Sequence, residues 1–176
     1  MKAYIFLDRD GTINIDKDYL HKPEDFEFEK NAITGLKKLI NKGYGLVVIT
    51  NQSGIGRGMY SIEDANRVHE YMIQELKKYD VEISAVYMCP HGPDDNCECR
   101  KPKLGLYEQA IKELDIDIGS SYLIGDRVRD MEPAYKLGCK GALVKTGHFR
   151  TEDISAIPQN DIYEDLLDFA ENIPAV

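Results

Sequence analysis

The chain has 176 residues, of which 43% are hydrophobic and 30% are charged, a composition typical of a folded globular domain. Its net charge of −9 argues against nucleic acid as a main partner, because binding to a phosphate backbone depends on clustered Lys and Arg. The apolar runs are far shorter than a membrane-spanning helix and no signal-peptide pattern is present, so we expect a cytoplasmic protein without membrane contact.

Apolar runs typical of buried strands alternate with helical patterns along the chain. Strands are predicted at residues 3–7, 45–50, 85–89, 122–125, 141–144 and near 161–163. Apolar residues recur at helical spacing in residues 33–40, 62–76 and 106–114, and a last helix is predicted over 166–173. This alternation predicts an α/β fold with a mostly parallel sheet, in one domain over residues 1–176. The amphipathic patterns leave no additional apolar face that would need a partner to cover it, so we expect a monomer.

Two carboxylates, Asp8 and Asp10, follow the first predicted strand directly, and Gly11 permits a sharp turn after them. Ligands of open α/β sheets bind at the carboxyl ends of strands. One such Asp can attack an electrophile while the other carries protons, and both can face a metal ion. Taken alone, the same residues are also those of an ordinary acidic turn.

Polar side chains also follow the second predicted strand. Thr50 ends it and Asn51, Gln52 and Ser53 come next, with hydroxyl and amide groups able to hold phosphate oxygens. A polar turn would have the same composition.

The strand at 122–125 is followed by Asp126 and Asp130. Hard divalent cations such as Mg²⁺ take oxygen ligands, and these two acids can provide them beside Asp8 and Asp10. Four carboxylates that converge without a cation would repel one another, so their convergence predicts a bound Mg²⁺.

A short basic run contains Arg100 and Lys101 just before a predicted helix. Lys101 can offset the charge of a nucleophilic carboxylate and of an incoming phosphoryl group. A basic run is also typical of a solvated surface.

The segment from residue 89 to 99, called the zinc loop below, contains Cys89, His91, Cys97 and Cys99. Three thiolates and one imidazole fit a closed tetrahedral Zn²⁺ site without an open catalytic position. Incidental cysteines are the alternative. The zinc ion is expected to order the loop and so to hold Arg100 and Lys101 over the pocket.

Together these motifs resemble the haloacid dehalogenase (HAD) superfamily of phosphohydrolases. They occur in the order Asp8-x-Asp10-Gly11-Thr12, Thr50, Lys101 and Gly125-Asp126-x-x-x-Asp130. The resemblance implies a Rossmann-like three-layer sandwich without a separate cap domain and an Mg²⁺-dependent phosphoaspartate mechanism. In that mechanism Asp8 is the nucleophile and Asp10 the general acid and base, while Thr50 and Lys101 stabilise the phosphoryl group. Asp8, Asp10 and Asp126 hold the metal ion, and Asp130 orients its waters.

The zinc loop resembles that of the heptose 1,7-bisphosphate phosphatase group, which the related histidinol-phosphate phosphatases share. Residues 6–14, 50–58 and 99–102 resemble the heptose enzymes closely. The implied reaction is removal of the C7 phosphate from D-glycero-D-manno-heptose 1,7-bisphosphate. Residues expected to contact this substrate are Asp16, Tyr19, Asn51, Gln52, Ser53, Arg57 and Arg100. Without a cap domain, the loops at 16–21, 53–60 and 89–99 are expected to shape the pocket.

Alternative substrates are histidinol phosphate and other small sugar phosphates. Arg57 and Arg100 favour a second phosphate over the cationic histidinol side chain. A non-catalytic, zinc-stabilised binding module is a further alternative, although such a protein would be expected to have lost one of the acids. The residues leave the anomer open.

Overall fold

A computed structural model describes residues 1–176. Its strands are β1 (Tyr4–Leu7), β2 (Gly45–Asn51), β3 (Ala85–Cys89), β4 (Tyr122–Gly125), β5 (Lys140–Val144) and β6 (Ile162–Tyr163). Its α-helices are α1 (Ala32–Asn41), α2 (Ser53–Gly56), α3 (Ile62–Lys77), α4 (Gly105–Leu114), α5 (Val128–Met131), α6 (Pro133–Leu137) and α7 (Leu166–Asn172). Every predicted strand and helix is present with its ends shifted by few residues.

Three short helices, α2, α5 and α6, were not expected from the sequence. Each has only four or five residues, so none is long enough to show an apolar stripe at helical spacing. Helix α2 follows β2 and α5 follows β4, at the strand ends where the sequence has polar motifs, and α6 comes directly after α5.

The six strands form one parallel sheet in the order β3-β2-β1-β4-β5-β6. The chain runs outward from β1 to β3 on one side and from β4 to β6 on the other, so the strand order reverses between β1 and β4. In doubly wound sheets this reversal opens a crevice at the carboxyl ends of the two strands, where ligands bind.

Two hydrophobic layers cover the sheet, because successive side chains of a strand point to opposite faces. Ile5 and Leu7 of β1 pack into the larger layer with α1, α3 and α7, whereas Tyr4 and Phe6 pack into the smaller one with α4 and α6. The molecule is therefore the predicted Rossmann-like three-layer α/β sandwich. Its longest helix, α3, has 16 residues, and no helix combines the length and apolarity needed to cross a bilayer.

Candidate active site

Three carboxylates meet where β1 and β4 end side by side. Asp8 follows β1 and Asp126 follows β4, and with Asp130 of α5 their oxygens lie within 4.8 Å of one another. Gly11, with φ +83°, permits this approach, because a Cβ at that position would lie 2.4 Å from Asp126 Oδ2. Gly147, in the loop after β5, approaches the same carboxylate from another side, and a Cβ there would lie 2.3 Å from Asp126 Oδ2.

Lys101 is the only lysine or arginine that contacts this acidic cluster directly. Its buried Nζ donates to Asp8 Oδ1 and to the carbonyl oxygen of Ile49, both at 2.8 Å, and lies 2.8 Å from Asp130 Oδ1. Asn51 fixes the Lys101 backbone through two hydrogen bonds, from Lys101 N to Asn51 Oδ1 and from Asn51 Nδ2 to Lys101 O. The end of β2 thereby holds the lysine over the end of β1.

The acidic cluster carries more negative charge than Lys101 balances. Burial, and next the charge of Asp130, raise the pKa of Asp8 to about 6, although Lys101 opposes the shift. Burial, followed by the charges of Asp8 and Asp130, raises the pKa of Asp126 to about 8. A set of converging carboxylate oxygens with excess negative charge fits a hard divalent cation. The sequence predicted four converging acids, but the cluster contains three, because Arg9 binds the Asp10 carboxylate outside it.

Asp10 lies apart from that cluster and has its own cation. The fully buried Arg9 donates from Nη2 to Asp10 Oδ1 and Oδ2 at 2.9 and 2.8 Å. Asn14 Nδ2 donates to Oδ1 at 2.9 Å and Gln52 Nε2 to Oδ2 at 3.0 Å. Burial alone would raise the pKa of Asp10, but Arg9 and these hydrogen bonds outweigh it and hold that pKa below its ordinary value.

Thr50 is joined to the same network. Gln52 Nε2 also donates to Thr50 Oγ1 at 2.9 Å, and Tyr60 donates from its hydroxyl to Gln52 Oε1 at 2.6 Å. Burial raises the pKa of Tyr60 to about 12, so its phenol stays protonated and keeps the Gln52 amide in one orientation. Thr50, 1% exposed, is thus held beside Asp10 at the end of β2.

A cavity of about 250 Å³ opens over Asp8 and Asp10. All seven residues expected to contact substrate line it: Asp16, Tyr19, Asn51, Gln52, Ser53, Arg57 and Arg100. Five further residues line the cavity that the sequence analysis did not single out, although the first two lie in loops expected to shape the pocket: Asp18, Tyr60, Arg127, Arg129 and His148. The zinc loop, expected to shape the pocket, contributes no lining residue itself and bounds the cavity only through Arg100, which follows it.

His148 lies in the loop after β5 and joins two parts of the site. Its backbone N–H donates to Asp126 Oδ2 at 2.7 Å, and its Nδ1 lies 3.2 Å from Asp16 Oδ2. Because β5 pairs with β4, its carboxyl end opens onto the same edge of the sheet. Applying the strand-end argument to this strand as well would have found His148 in the sequence.

The four residues of the expected zinc site converge. The sulfur atoms of Cys89 and Cys99 lie 3.1 Å apart, those of Cys89 and Cys97 3.7 Å, and His91 Nδ1 lies 3.2 Å from Cys99 Sγ. Two thiolates about 2.3 Å from a tetrahedral zinc ion lie roughly 3.8 Å apart, so the residues fit Zn²⁺ with small adjustments. Arg100 Nη1 donates to His91 O at 3.4 Å, which connects this site to the cavity.

Comparison with known proteins agrees with the class that this fold and site define. Residues 98–169 match the family model described as HAD-hydrolase-like. The D-glycero-beta-D-manno-heptose-1,7-bisphosphate 7-phosphatase of Haemophilus ducreyi is 45% identical over 154 residues, which cover 83% of this chain and 85% of that enzyme. The alpha-anomer enzyme of Photorhabdus laumondii is 43% identical over 167 residues, 90% of this chain and 91% of its own.

A solved structure shares both the fold and much of the sequence. The D,D-heptose 1,7-bisphosphate phosphatase of B. bronchiseptica, crystallised with magnesium and phosphate, superimposes with a TM-score of 0.87 at 35% identity, covering 97% of each chain. The chain therefore belongs to the heptose-1,7-bisphosphate 7-phosphatase family of HAD-like hydrolases. It is a phosphatase.

Proposed function

We propose that this protein hydrolyses the 7-phosphate of D-glycero-D-manno-heptose 1,7-bisphosphate through an aspartyl phosphate on Asp8. The observation that carries the proposal is the separation of two neighbouring acids: Asp8 is bonded to Lys101 in the acidic cluster, whereas Asp10 is bonded to Arg9. The substrate is inferred from the relatives, which are named as phosphatases of the beta or of the alpha anomer of this heptose bisphosphate.

In the first step Asp8 attacks the phosphorus, and the bond between phosphorus and the C7 oxygen of the sugar breaks. Lys101, which already donates to Asp8, neutralises negative charge on the phosphoryl oxygens as they approach. Thr50, held by Gln52, donates its hydroxyl to the same oxygens.

Asp10 transfers the protons of both steps. It protonates the departing sugar oxygen, and in the second step it takes a proton from the water that hydrolyses the aspartyl phosphate. Arg9 and Gln52 hold its carboxylate in one place for both transfers. The negative charge of the bound phosphate raises the pKa of Asp10, so the residue enters the reaction protonated.

Two metal ions complete the proposal. Asp8, Asp126 and the backbone carbonyl of Asp10 would hold Mg²⁺, with Asp130 orienting its waters. Bound Mg²⁺ would balance the charge of the carboxylates and of the phosphoryl oxygens. Cys89, His91, Cys97 and Cys99 would hold Zn²⁺, which orders the loop before Arg100 and Lys101.

The cavity accounts for the rest of the substrate. Asp16 and Tyr19 are placed to bind sugar hydroxyls, and Arg57 and Arg100 to bind the second phosphate. A cationic histidinol side chain would be repelled by these guanidinium groups. We expect the loops at 16–21 and 53–60, rather than a cap domain, to enclose the sugar of a monomeric enzyme.

The test is phosphate release in the presence of Mg²⁺ from both heptose 1,7-bisphosphate anomers, histidinol phosphate and several sugar monophosphates. We expect the bisphosphates to be preferred and Asp8→Asn to lower kcat at least about 1000-fold. Asp80→Asn, the same change at an exposed position far from the cavity, is the matched control and should leave kcat unchanged.

Turnover retained in Asp8→Asn would contradict the nucleophile. A preference for histidinol phosphate would contradict the substrate but leave the mechanism intact. No Asp8-dependent turnover of any phosphate ester would favour the non-catalytic binding module.

A further inference from the structure

Three arginines line the cavity without an acidic partner. No carboxylate oxygen lies within 4.0 Å of the guanidinium nitrogens of Arg57, Arg100 or Arg129. By contrast, Arg9 is paired with Asp10 at 2.8 Å, and Arg127, which directly precedes helix α5, lies 3.9 Å from Glu152. The cavity therefore contains cationic groups whose charge the protein itself leaves unbalanced.

Arg129 is the least expected of the three. It is half-buried, and its Nε has neither solvent contact nor a hydrogen-bond partner. A buried donor on a charged group costs free energy when nothing accepts its hydrogen bond. A ligand anion in the cavity, which Arg129 lines, would provide the opposite charge.

The arginines also act on one another. Arg57, Arg100 and Arg129 line the same cavity of about 250 Å³, so their positive charges face one shared space. Like charges at this range destabilise the empty cavity, and a dianion placed between them reverses the sign of the interaction. Phosphate matches guanidinium groups particularly well because it can accept paired hydrogen bonds.

We propose that Arg129 is a specificity-determining residue that binds the second phosphate of the substrate together with Arg57 and Arg100. This inference rests on the proposed function. Arg129 thereby makes the enzyme prefer a sugar bisphosphate to the corresponding monophosphate.

The backbone around Arg129 is held by the acidic cluster. The next residue, Asp130, contacts Lys101 through Oδ1 and accepts a hydrogen bond from Arg127 N through Oδ2, while its carbonyl oxygen accepts one from Tyr107. These contacts fix α5, so the Arg129 side chain starts from a rigid position beside the reacting group. Little ordering is then required when the second phosphate binds.

The experiment compares kcat and KM for heptose 1,7-bisphosphate and heptose 7-phosphate in the wild type, Arg129→Met, Arg129→Lys and Arg127→Met. We expect Arg129→Met to lower kcat/KM for the bisphosphate about 10- to 100-fold, mainly through KM, and to change the monophosphate less than about threefold. Arg129→Lys should recover part of the loss, because lysine keeps the positive charge but lacks the paired donors of a planar guanidinium group. Arg127→Met, which removes an acid-paired cation two positions before Arg129, should affect the two substrates equally.

Equal losses on both substrates in Arg129→Met, or no loss on the bisphosphate, would overturn the role of Arg129 while leaving the proposed function in place. A wild type inactive on the bisphosphate would overturn the proposed function itself. If thermal melting shows that Arg129→Met does not fold, the bisphosphate-to-monophosphate ratio of Arg129→Lys decides the question in the same way.

Discussion

Asp8 and Asp10 are separated by one residue, yet their carboxylates lie in opposite electrostatic surroundings. Asp8 shares a buried cluster with two other acids and its pKa rises to about 6, whereas Arg9 contributes to holding the pKa of Asp10 below its ordinary value. Environments that separate the pKa values of neighbouring acids are how active sites assign different roles to identical residues. Here the division depends on Arg9, the residue between them.

Arg9→Lys tests this division at the level of one residue. Lysine keeps the positive charge but cannot donate to both Asp10 oxygens from one planar group, so the pKa of Asp10 should rise. We expect the alkaline limb of the kcat/KM profile, where the general acid loses its proton, to move to higher pH, with a loss of about tenfold at the pH optimum because the Asp10 carboxyl is less well positioned. An unchanged pH profile would contradict the positioning role of Arg9.

The loops after β1, β2, β4 and β5 all open onto one edge of the sheet, and each contributes part of the site. The connection after β3 differs, because it folds around four potential zinc ligands and then delivers Arg100 and Lys101. A loop without regular structure needs such a constraint if it is to hold a catalytic lysine within hydrogen-bond distance of Asp8.

Cys97→Ser tests the zinc loop. Losing one thiolate should lower the zinc content below one ion per chain, lower the melting temperature, and reduce kcat because Lys101 is less well positioned. Cys139→Ser is the matched control, since Cys139 lies outside the cluster, and it should keep the zinc content of the wild type. Unaltered zinc content and stability in Cys97→Ser would show that the cluster binds no zinc.

Helix α3 offers a test at a distance from the chemistry. Ser61 Oγ accepts from Asp64 N at 3.1 Å and Asp64 Oδ2 accepts from Ser61 N at 2.9 Å, and the two bonds form a capping box at the start of the helix. Ser61→Ala should lower the free energy of unfolding by about 1 kcal/mol in urea titrations and leave kcat unchanged. Ser155→Ala, at an exposed loop position, should change it by less than about 0.5 kcal/mol. Equal effects of the two substitutions would argue against the cap.

Over the whole molecule, the strand order places the acids of β1 and β4 side by side, so the fold itself produces a repulsive cluster. That cluster should make stability depend on pH and on Mg²⁺. The pKa of Asp126 is about 8 in the native protein against 3.8 for an unperturbed Asp, so the native state binds the extra proton. Its contribution to stability is complete below about pH 4 and is lost as the pH rises through about 8.

We therefore expect the melting temperature of the Mg²⁺-free protein to fall between about pH 6.5 and 8, and Mg²⁺ to stabilise it increasingly over the same range. Burial lowers the pKa of His69 to about 3, so below pH 6.5 the unfolded state binds a proton that the native state does not. The contribution of His69 to the stability of the protein therefore increases with pH over that lower range and opposes the trend. The measurement is a series of thermal melts, without chelator so that zinc is retained. Asp126→Asn should remove both the fall and the Mg²⁺ dependence, and a melting temperature that rises over this range in the Mg²⁺-free wild type would contradict the prediction.

The sequence by itself determined the α/β class, the position of every long element, the residues of the zinc cluster and three of the four acids expected to converge. These depend on short-range patterns: apolar periodicity within ten or so residues, acids at strand ends, and cysteines close enough for one loop to surround an ion. For the same reason the seven residues expected at the cavity do line it, since each lies within a few residues of a motif.

Only the tertiary structure decided how those groups divide their work. The hydrogen bond from Lys101 to Asp8 joins residues 93 positions apart, and that from His148 to Asp126 joins residues 22 positions apart. No local pattern encodes such contacts, because they depend on strand order and on which loops meet at the edge of the sheet. The same reason explains why Arg9 as the partner of Asp10, and Arg129 as an unpaired cation in the cavity, became visible only in three dimensions.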